Sequence, residues 1–193
     1  MLRDVRAAVV AVVAITVVFG LALPAIFTGF AQLAFEHQAD GSLVTVNGTV
    51  VGSRLVAQAF TKPQYFHERP SGTTPAYNAG GTTFSNLGPT NPDLAKSVKS
   101  AAAAVLKLEG PYNPGLAVRG IPVDAVTPSG SGIDPDISPE YAHLQAHRIA
   151  AVRHMALATV DDLIARYTTG RALGLFGEPA VNVLQLNLAL DGR

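Results

Sequence analysis

Residues 7–27 read AAVVAVVAITVVFGLALPAIF, a run with no charge and a single polar side chain, Thr16. At ~1.5 Å of rise per residue these positions form a helix about 31 Å long, close to the ~30 Å hydrocarbon core of a bilayer. A secretory signal peptide is the rival reading, since Arg3 and Arg6 precede the run and Gly29-Phe30-Ala31 has small residues at a cleavage-site spacing. The apolar core of a signal peptide spans only about 7 to 15 residues, so the length favours an uncleaved anchor. Its flanks set an orientation: Arg3 and Arg6 lie before it, and the first charges after it are Glu36 and Asp40. The positive-inside rule then makes residues 1–6 cytoplasmic, 7–30 the transmembrane helix and 36–193 an external domain.

Within the span, Thr16, Gly20, Pro24 and Thr28 recur at every fourth position. That spacing forms a narrow stripe on which a second helix can approach closely, although small residues are also simply common in membrane helices. Pro24 has no N–H and should kink or weaken the last turns.

Outside the anchor, composition narrows the classes. Beyond Arg6 the chain carries 12 basic and 13 acidic residues, so it has no electrostatic footprint for nucleic acid. It has no cysteine, which removes disulfides, thiolate metal sites and cysteine nucleophiles. The length beyond the anchor suits one domain with its own core.

Working outward along the chain, Leu43 to Val46 and Thr49 to Val51 read as two strands joined by Asn47-Gly48, residues suited to a type I′ turn. Asn47-Gly48-Thr49 also matches a glycosylation acceptor, but the tight turn explains the same residues. Residues 60–92 are rich in Gly, Pro, Ser, Thr and Asn, yet hold Phe60, Tyr65, Phe66, His67, Tyr77 and Phe84. Solvated linkers rarely carry so much aromatic surface, so an ordered irregular loop region is expected, of the kind that serves as an interaction surface. A helix follows with Asn91 as N-cap, Pro92 at its first position and a stop at Gly110. Leu94, Val98, Ala101, Val105 and Leu108 fall on its inner face, and Lys96, Lys99 and Lys107 outside it.

Val123 to Val126 is a strand candidate, followed by the turn-rich stretch TPSGSGIDPDISP at 127–139. Ser138-Pro139-Glu140 starts a helix through about His154, and Thr159 to Asp162 reads as a capping-box restart of another, ended by Gly170. The run from Val181 to Leu190 reads as a last strand with Asn182 and Asn187 on opposite faces. Strands early and late with three helices between them make the soluble part α+β.

Motifs that carry chemistry are sparse. His143, His147 and His154 share a helix face, but Leu144 stands where a zinc protease needs glutamate, so a polar face is preferred to a metal site. Asp134 and Asp136 lack the glycine and distal glutamate of a calcium loop. Ser129 or Ser131, with His67, leaves open an anchored external serine hydrolase, although Gly130-Ser131-Gly132 does not meet the nucleophile-elbow spacing. A free-standing ligand-binding protein is the third reading. No Walker-type phosphate loop occurs.

The blocks YFHERPS (65–71), YN (77–78), SNLGPTNP (85–92), TPSGSGIDPDISP (127–139) and GEPAVNVLQLNLAL (177–190) stand in this order behind one N-terminal span. In this the chain resembles the C subunit family of the Kdp-type potassium-transporting P-type ATPases. It departs at Glu68, where the family usually has glycine, and at Pro128, where a small residue is usual. The resemblance implies an accessory, non-catalytic subunit in a bacterial inner membrane. It implies partners: a potassium-channel-like subunit, an ATP-hydrolysing P-type subunit and a small single-span subunit. It also implies a catalytic chaperone that supports ATP binding by the pump subunit, in a complex that uses ATP and potassium. The orientation above places the soluble domain away from ATP, so no cofactor is expected to bind this chain directly. The segments expected to dock partners or fix the fold contain Tyr65, Phe66, His67, Arg69 and Pro70, then Ser85, Asn86 and Asn91. Ser129, Gly130, Ser131, Gly132 and Asp134 complete them.

Overall fold

A computed structural model describes residues 1–192; Arg193, the last residue of the expected external segment, lies outside them. The chain divides into two compact units, Met1–Leu43 and Val44 onward.

The first unit is dominated by one helix, α1 (Leu2–Ala34), long and apolar enough to cross a membrane. None of its residues is buried. Over Thr16–Ala22 the helix widens to π geometry, and the Leu23 N–H donates to the Val18 carbonyl five residues back. Pro24 follows directly; its ring clashes with the carbonyl one turn earlier, and a wider turn relieves that clash without breaking the helix. A single turn, α2 (Glu36–Ala39), comes next.

Next comes the hairpin of β1 (Leu43–Val46) and β2 (Thr49–Ser53), which belongs to the second unit from Val44 onward. Asn47 and Gly48 have φ of 50° and 77°, as a type I′ turn requires. From Arg54 to Asn91 the only regular element is one 3₁₀ turn, Ala79–Gly81. Helix α3 (Pro92–Glu109) starts where expected, with Asn91 accepting from the Asp93 N–H. Helix α4 (Pro139–Arg153) is capped by Ser138, which accepts from the Tyr141 N–H. It ends at His154, in the left-handed region at φ 56°, where the chain turns into α5 (Leu157–Tyr167). Strands β3 (Asp136–Ile137), β4 (Thr168–Thr169) and β5 (Ala180–Asn182) form a small antiparallel sheet in the order β3-β5-β4. Asp136 pairs with Asn182, Ile137 and Thr168 both pair with Val181, and Thr169 pairs with Ala180. Helix α6 (Val183–Leu190) closes the chain.

The core lies where α3, α4, α5 and α6 meet this sheet. Val105, Ala142, Ala146, Ile149, Val160, Ile164, Val181, Val183 and Leu186 are buried there, and Phe66 enters from the long loop. The class is α+β, as composition and pattern imply.

Three sequence expectations are corrected. The run from Val181 to Leu190 is strand only as far as Asn182 and helix after it. It buries Val183, Leu186, Asn187 and Leu190, a helical spacing that a short apolar run does not distinguish from a strand. Asn182 is the switch: its Oδ1 accepts from the Gln185 N–H at 3.2 Å, and its Nδ2 donates to Asp136 Oδ1 at 2.9 Å. Residues Val123–Ala125 form a 3₁₀ turn, not a strand. That turn presents Asp124 to the head of α4, where its carboxylate accepts from the Ser138 N–H at 2.7 Å and hydroxyl at 3.0 Å. The third helix begins at Leu157, before Thr159, because the left-handed His154 has already reversed the chain. It ends at Tyr167, and Thr168–Thr169 continue into β4 ahead of Gly170.

Replacing Asn182 by alanine should therefore lower the unfolding free energy by about 1–2 kcal/mol, through the lost helix cap and strand tie. Thr159→Ala should change it by less than about 0.5 kcal/mol, as an exposed substitution inside a helix. Urea unfolding of the detergent-solubilised chain distinguishes the two.

Candidate functional site: two loops on a buried polar spine

The loop blocks at 65–71 and 127–139 meet in the second unit, and helices hold them there through buried polar side chains. Arg148, on α4, is fully buried. Its Nε donates to Glu109 Oε1 of α3 at 2.9 Å, and its Nη2 to Gln145 Oε1 at 2.9 Å. Its Nη1 donates to the Tyr65 carbonyl at 2.9 Å and also to the carbonyl of Pro63. Burial pushes the Glu109 carboxyl upward from its ordinary value, and the adjacent Arg148 guanidinium opposes that rise.

Two side-chain amides then grip the loop backbone as a neighbouring strand would. Asn187 of α6 accepts from the Phe66 N–H at 2.8 Å and donates to the Phe66 carbonyl at 3.0 Å. Gln145 accepts from the His67 N–H at 2.8 Å and donates to the His67 carbonyl at 3.0 Å. Phe66 is fixed in the core by this grip. Tyr65 lies under the Arg153 guanidinium, 5.0 Å from its ring centre, and its hydroxyl donates to Asp191 at 2.9 Å.

Arg69 ties the first loop to the second. It donates to the Thr127 carbonyl at 3.3 Å, to Asp134 at 3.1 Å and to the Pro128 carbonyl at 3.4 Å. Ser71 follows: its hydroxyl donates to the Gly132 carbonyl at 2.8 Å and accepts from the Tyr77 N–H at 2.8 Å. A Cβ at Gly72 would lie 2.8 Å from the Thr83 carbonyl oxygen, and one at Gly132 would lie 2.3 Å from it. Glycine at these two positions is thus a requirement of close backbone approach.

Among the expected residues, the structure brings together Tyr65, Phe66, His67, Arg69, Gly132 and Asp134. Pro70 lies between Arg69 and Ser71 in the same loop. Ser129 accepts from the N–H groups of Gly132, at 3.0 Å, and Asp134, at 3.4 Å. Ser131 accepts from the Ile133 N–H at 3.2 Å, and exposed Gly130 lies between them. Both hydroxyls thus shape their own loop, and the His67 ring bonds to the Lys62 carbonyl at 3.1 Å. Among the described residues no hydrogen bond links His67 to either serine. Ser85 and Asn86 sit apart on an exposed stretch, where Ser85 accepts from the Leu87 N–H, and Asn91 serves as the cap of α3. His143 bonds to Asp161 at 3.0 Å, while His147 and His154 are exposed. Among the described residues no group of three or more His, Asp or Glu side chains is placed to hold a metal.

Sequence reading missed Glu109, Gln145, Arg148, Arg153, Asn187 and Asp191. A polar residue at an inward position is the signal they carry, and no spacing rule pairs Arg153 with Asp191 across 38 residues, Arg148 with Glu109 across 39, or Asp191 with Tyr65 across 126.

Two carboxylates in this network are incompletely satisfied: Glu109 leaves Oε2 without a partner, and Glu68 leaves both oxygens so. Glu68 is buried, and no hydrogen bond of ordinary geometry reaches either carboxylate oxygen. Burial pushes its pKa up to about 9, against the pull of the Gln58 backbone N–H, and Asp136 and Asp134 add to the rise.

Two predictions come from the spine. Arg148→Met should cost about 3–5 kcal/mol of stability, because it leaves Glu109 buried and unpaired. Arg148→Met with Glu109→Leu should cost less than the single change, again by urea unfolding. Glu68 holds its proton in the folded chain until about pH 9 but loses it near 4.5 when unfolded. The folded state binds more protons between those values, so this group lowers stability as pH rises through them. Glu68→Gln should remove that slope and stabilise the chain by about 1–3 kcal/mol at pH 8. Thermal unfolding from pH 5 to 9 measures it.

Comparison with known proteins accounts for the whole chain. The profile of the family described as "KdpC: K+-transporting ATPase, c chain" matches residues 5–192. The Potassium-transporting ATPase KdpC subunit of Beijerinckia indica is 48% identical over 193 residues, covering 100% of this chain and 95% of that protein. The subunit of the same name from Paraburkholderia phymatum is 54% identical over 173 residues, 89% of this chain and 88% of that protein. Its counterpart from Sorangium cellulosum is 51% identical over 193 residues, 100% of this chain and 99% of that protein. The chain therefore belongs to the KdpC family, the C subunit of the K+-transporting ATPase.

Proposed function

We propose that this chain assembles and stabilises an ATP-driven, high-affinity potassium uptake complex and supports ATP use by its pump subunit without catalysing a reaction itself. The observation that carries this reading is the family match over residues 5–192, which takes in both α1 and the soluble unit. Its companions are a potassium-channel-like subunit, an ATP-hydrolysing P-type subunit and a small single-span subunit. A scaffolding role is supported by the way the site uses its polar groups: Arg69, Ser71, Ser129 and Ser131 are engaged in loop-to-loop or loop-internal hydrogen bonds. These bonds hold a surface in shape, as docking requires.

In this reading the N-terminus is cytoplasmic, since Arg3 and Arg6 precede the span, and the soluble unit is external in a bacterial inner membrane. ATP and potassium are used by the complex, and neither is a resident ligand of this chain. Its effect on ATP use passes through helix contacts in the membrane. The stripe of Thr16, Gly20, Pro24 and Thr28, on a helix with no buried residue, offers the face for them.

Purification of the tagged full-length chain in mild detergent should bring down a large multi-span protein and a P-type ATPase. Potassium-dependent ATP hydrolysis by the reassembled complex should fall at least ~10-fold when this chain is omitted, the scale of one decade in coupling. Recovery of the chain alone from membranes that contain those proteins overturns the reading. ATP binding by the purified chain alone, lost on mutation of a defined pocket, overturns the indirect route to ATP.

A further inference from the structure

Between β4 and β5 the chain runs RALGLFGE over residues 171–178. Ala172 and Phe176 exchange both backbone hydrogen bonds, at 2.8 and 2.9 Å, so this is a closed miniature hairpin. The Gly174 N–H donates to the Arg171 carbonyl and the Leu175 N–H to the Ala172 carbonyl, both at 3.1 Å. At its base Arg171 Nη2 donates to Glu178 Oε2 at 2.5 Å. Leu173 and Gly174 make the turn with φ of 54° and 74°.

Few leucines adopt a positive φ, since Cβ then crowds the backbone. Here that conformation aims apolar side chains away from the protein. Leu173 is 89% exposed, Leu175 75% and Phe176 66%. Single exposed leucines need no explanation, but three large apolar side chains on one self-closed tip form a patch that marks an interaction site. No charged residue lies from Ala172 to Gly177, and the two charges at the base neutralise each other.

Two receptors accept an uncharged apolar tip: a bilayer, or a pocket in another protein. A bilayer is fluid and needs no fixed arrangement of side chains. A pocket does, and a loop already ordered in its bound shape loses little freedom on docking. The family is one of subunits of a multi-protein ATPase, which supplies such neighbours. We propose that residues 171–178 form a docking plug whose Leu173, Leu175 and Phe176 enter an uncharged apolar pocket on another subunit of the same complex. The proposal deepens the accessory-subunit reading and rests on it. Central apolar anchors of this kind dominate the energetics of many interfaces.

The chain has no cysteine, so Leu175→Cys in the full-length protein creates a single reporter. A maleimide-polyethylene glycol reagent then shifts the mass of this chain's band alone, with labelling after denaturation as the reference. In membranes lacking the other subunits the cysteine should react freely. In the assembled complex its rate should fall at least ~10-fold. Phe176→Cys should behave alike, and Leu173→Asp should lower recovery of the partner subunits at least ~10-fold, with the chain's own urea midpoint unchanged. An undiminished labelling rate in an intact complex overturns the plug while leaving the accessory role standing. Protection already present in membranes without partners assigns the tip to lipid and overturns it too. Failure of the wild-type chain to associate with any subunit removes the accessory role and the plug together.

Discussion

The soluble unit depends on one buried cation. Arg148 sits with no solvent contact and donates to Glu109, Gln145 and the carbonyls of residues 63 and 65. Removing a guanidinium from water is costly, and the site compensates by surrounding it with acceptors on three separate segments: helix α3, helix α4 and the loop that follows the hairpin. Arginine suits the position because its planar fork donates in several fixed directions and keeps its charge when buried. The result is geometric specificity. An irregular loop with few backbone ladders of its own is held against the helices at one depth and in one register.

That register propagates. With residues 63 and 65 pinned to Arg148, Asn187 and Gln145 meet the next two peptide units and satisfy their N–H and C=O groups. Buried backbone groups require such partners, and here side-chain amides replace the missing strand. Phe66 can then fill the core, Arg69 can reach Asp134, and Ser71 can reach Gly132. The second loop is thereby placed by the first. Glu68 lies inside this arrangement without a matching partner, so its carboxyl keeps a proton that a solvated glutamate would release.

The polar platform and the apolar surfaces have different physical requirements. Ser129, Ser131 and Asp134 order their own backbone, leaving their loop rigid at the surface. Helix α1, by contrast, has no buried residue at all, and the loop at 171–178 displays leucine and phenylalanine to water. A helix of that length and composition matches the hydrocarbon thickness of a bilayer. The exposed loop is separated from α1 by over a hundred residues of sequence and carries its own closing bonds.

Much of this was legible in the residues themselves, wherever the controlling interaction is local. The long apolar helix follows from 21 uncharged positions, the hairpin from Asn47-Gly48, and two helix starts from Asn91-Pro92 and Ser138-Pro139, since caps and turns act over three or four residues. The aromatic content of residues 60–92 announced an ordered loop, and the order of the blocks between Tyr65 and Leu190 announced the family. What tertiary structure alone decided is where local rules are silent or balanced. The run from Val181 to Leu190 satisfies strand and helix patterns alike, and pairing with β3 and β4 keeps only its first residues extended. Arg148, Gln145 and Asn187 look like ordinary polar helix residues until chain segments up to 121 positions away are folded onto them. Their burial is a property of long-range packing, because the free energy of burying a charge depends on acceptors that other parts of the chain bring to it.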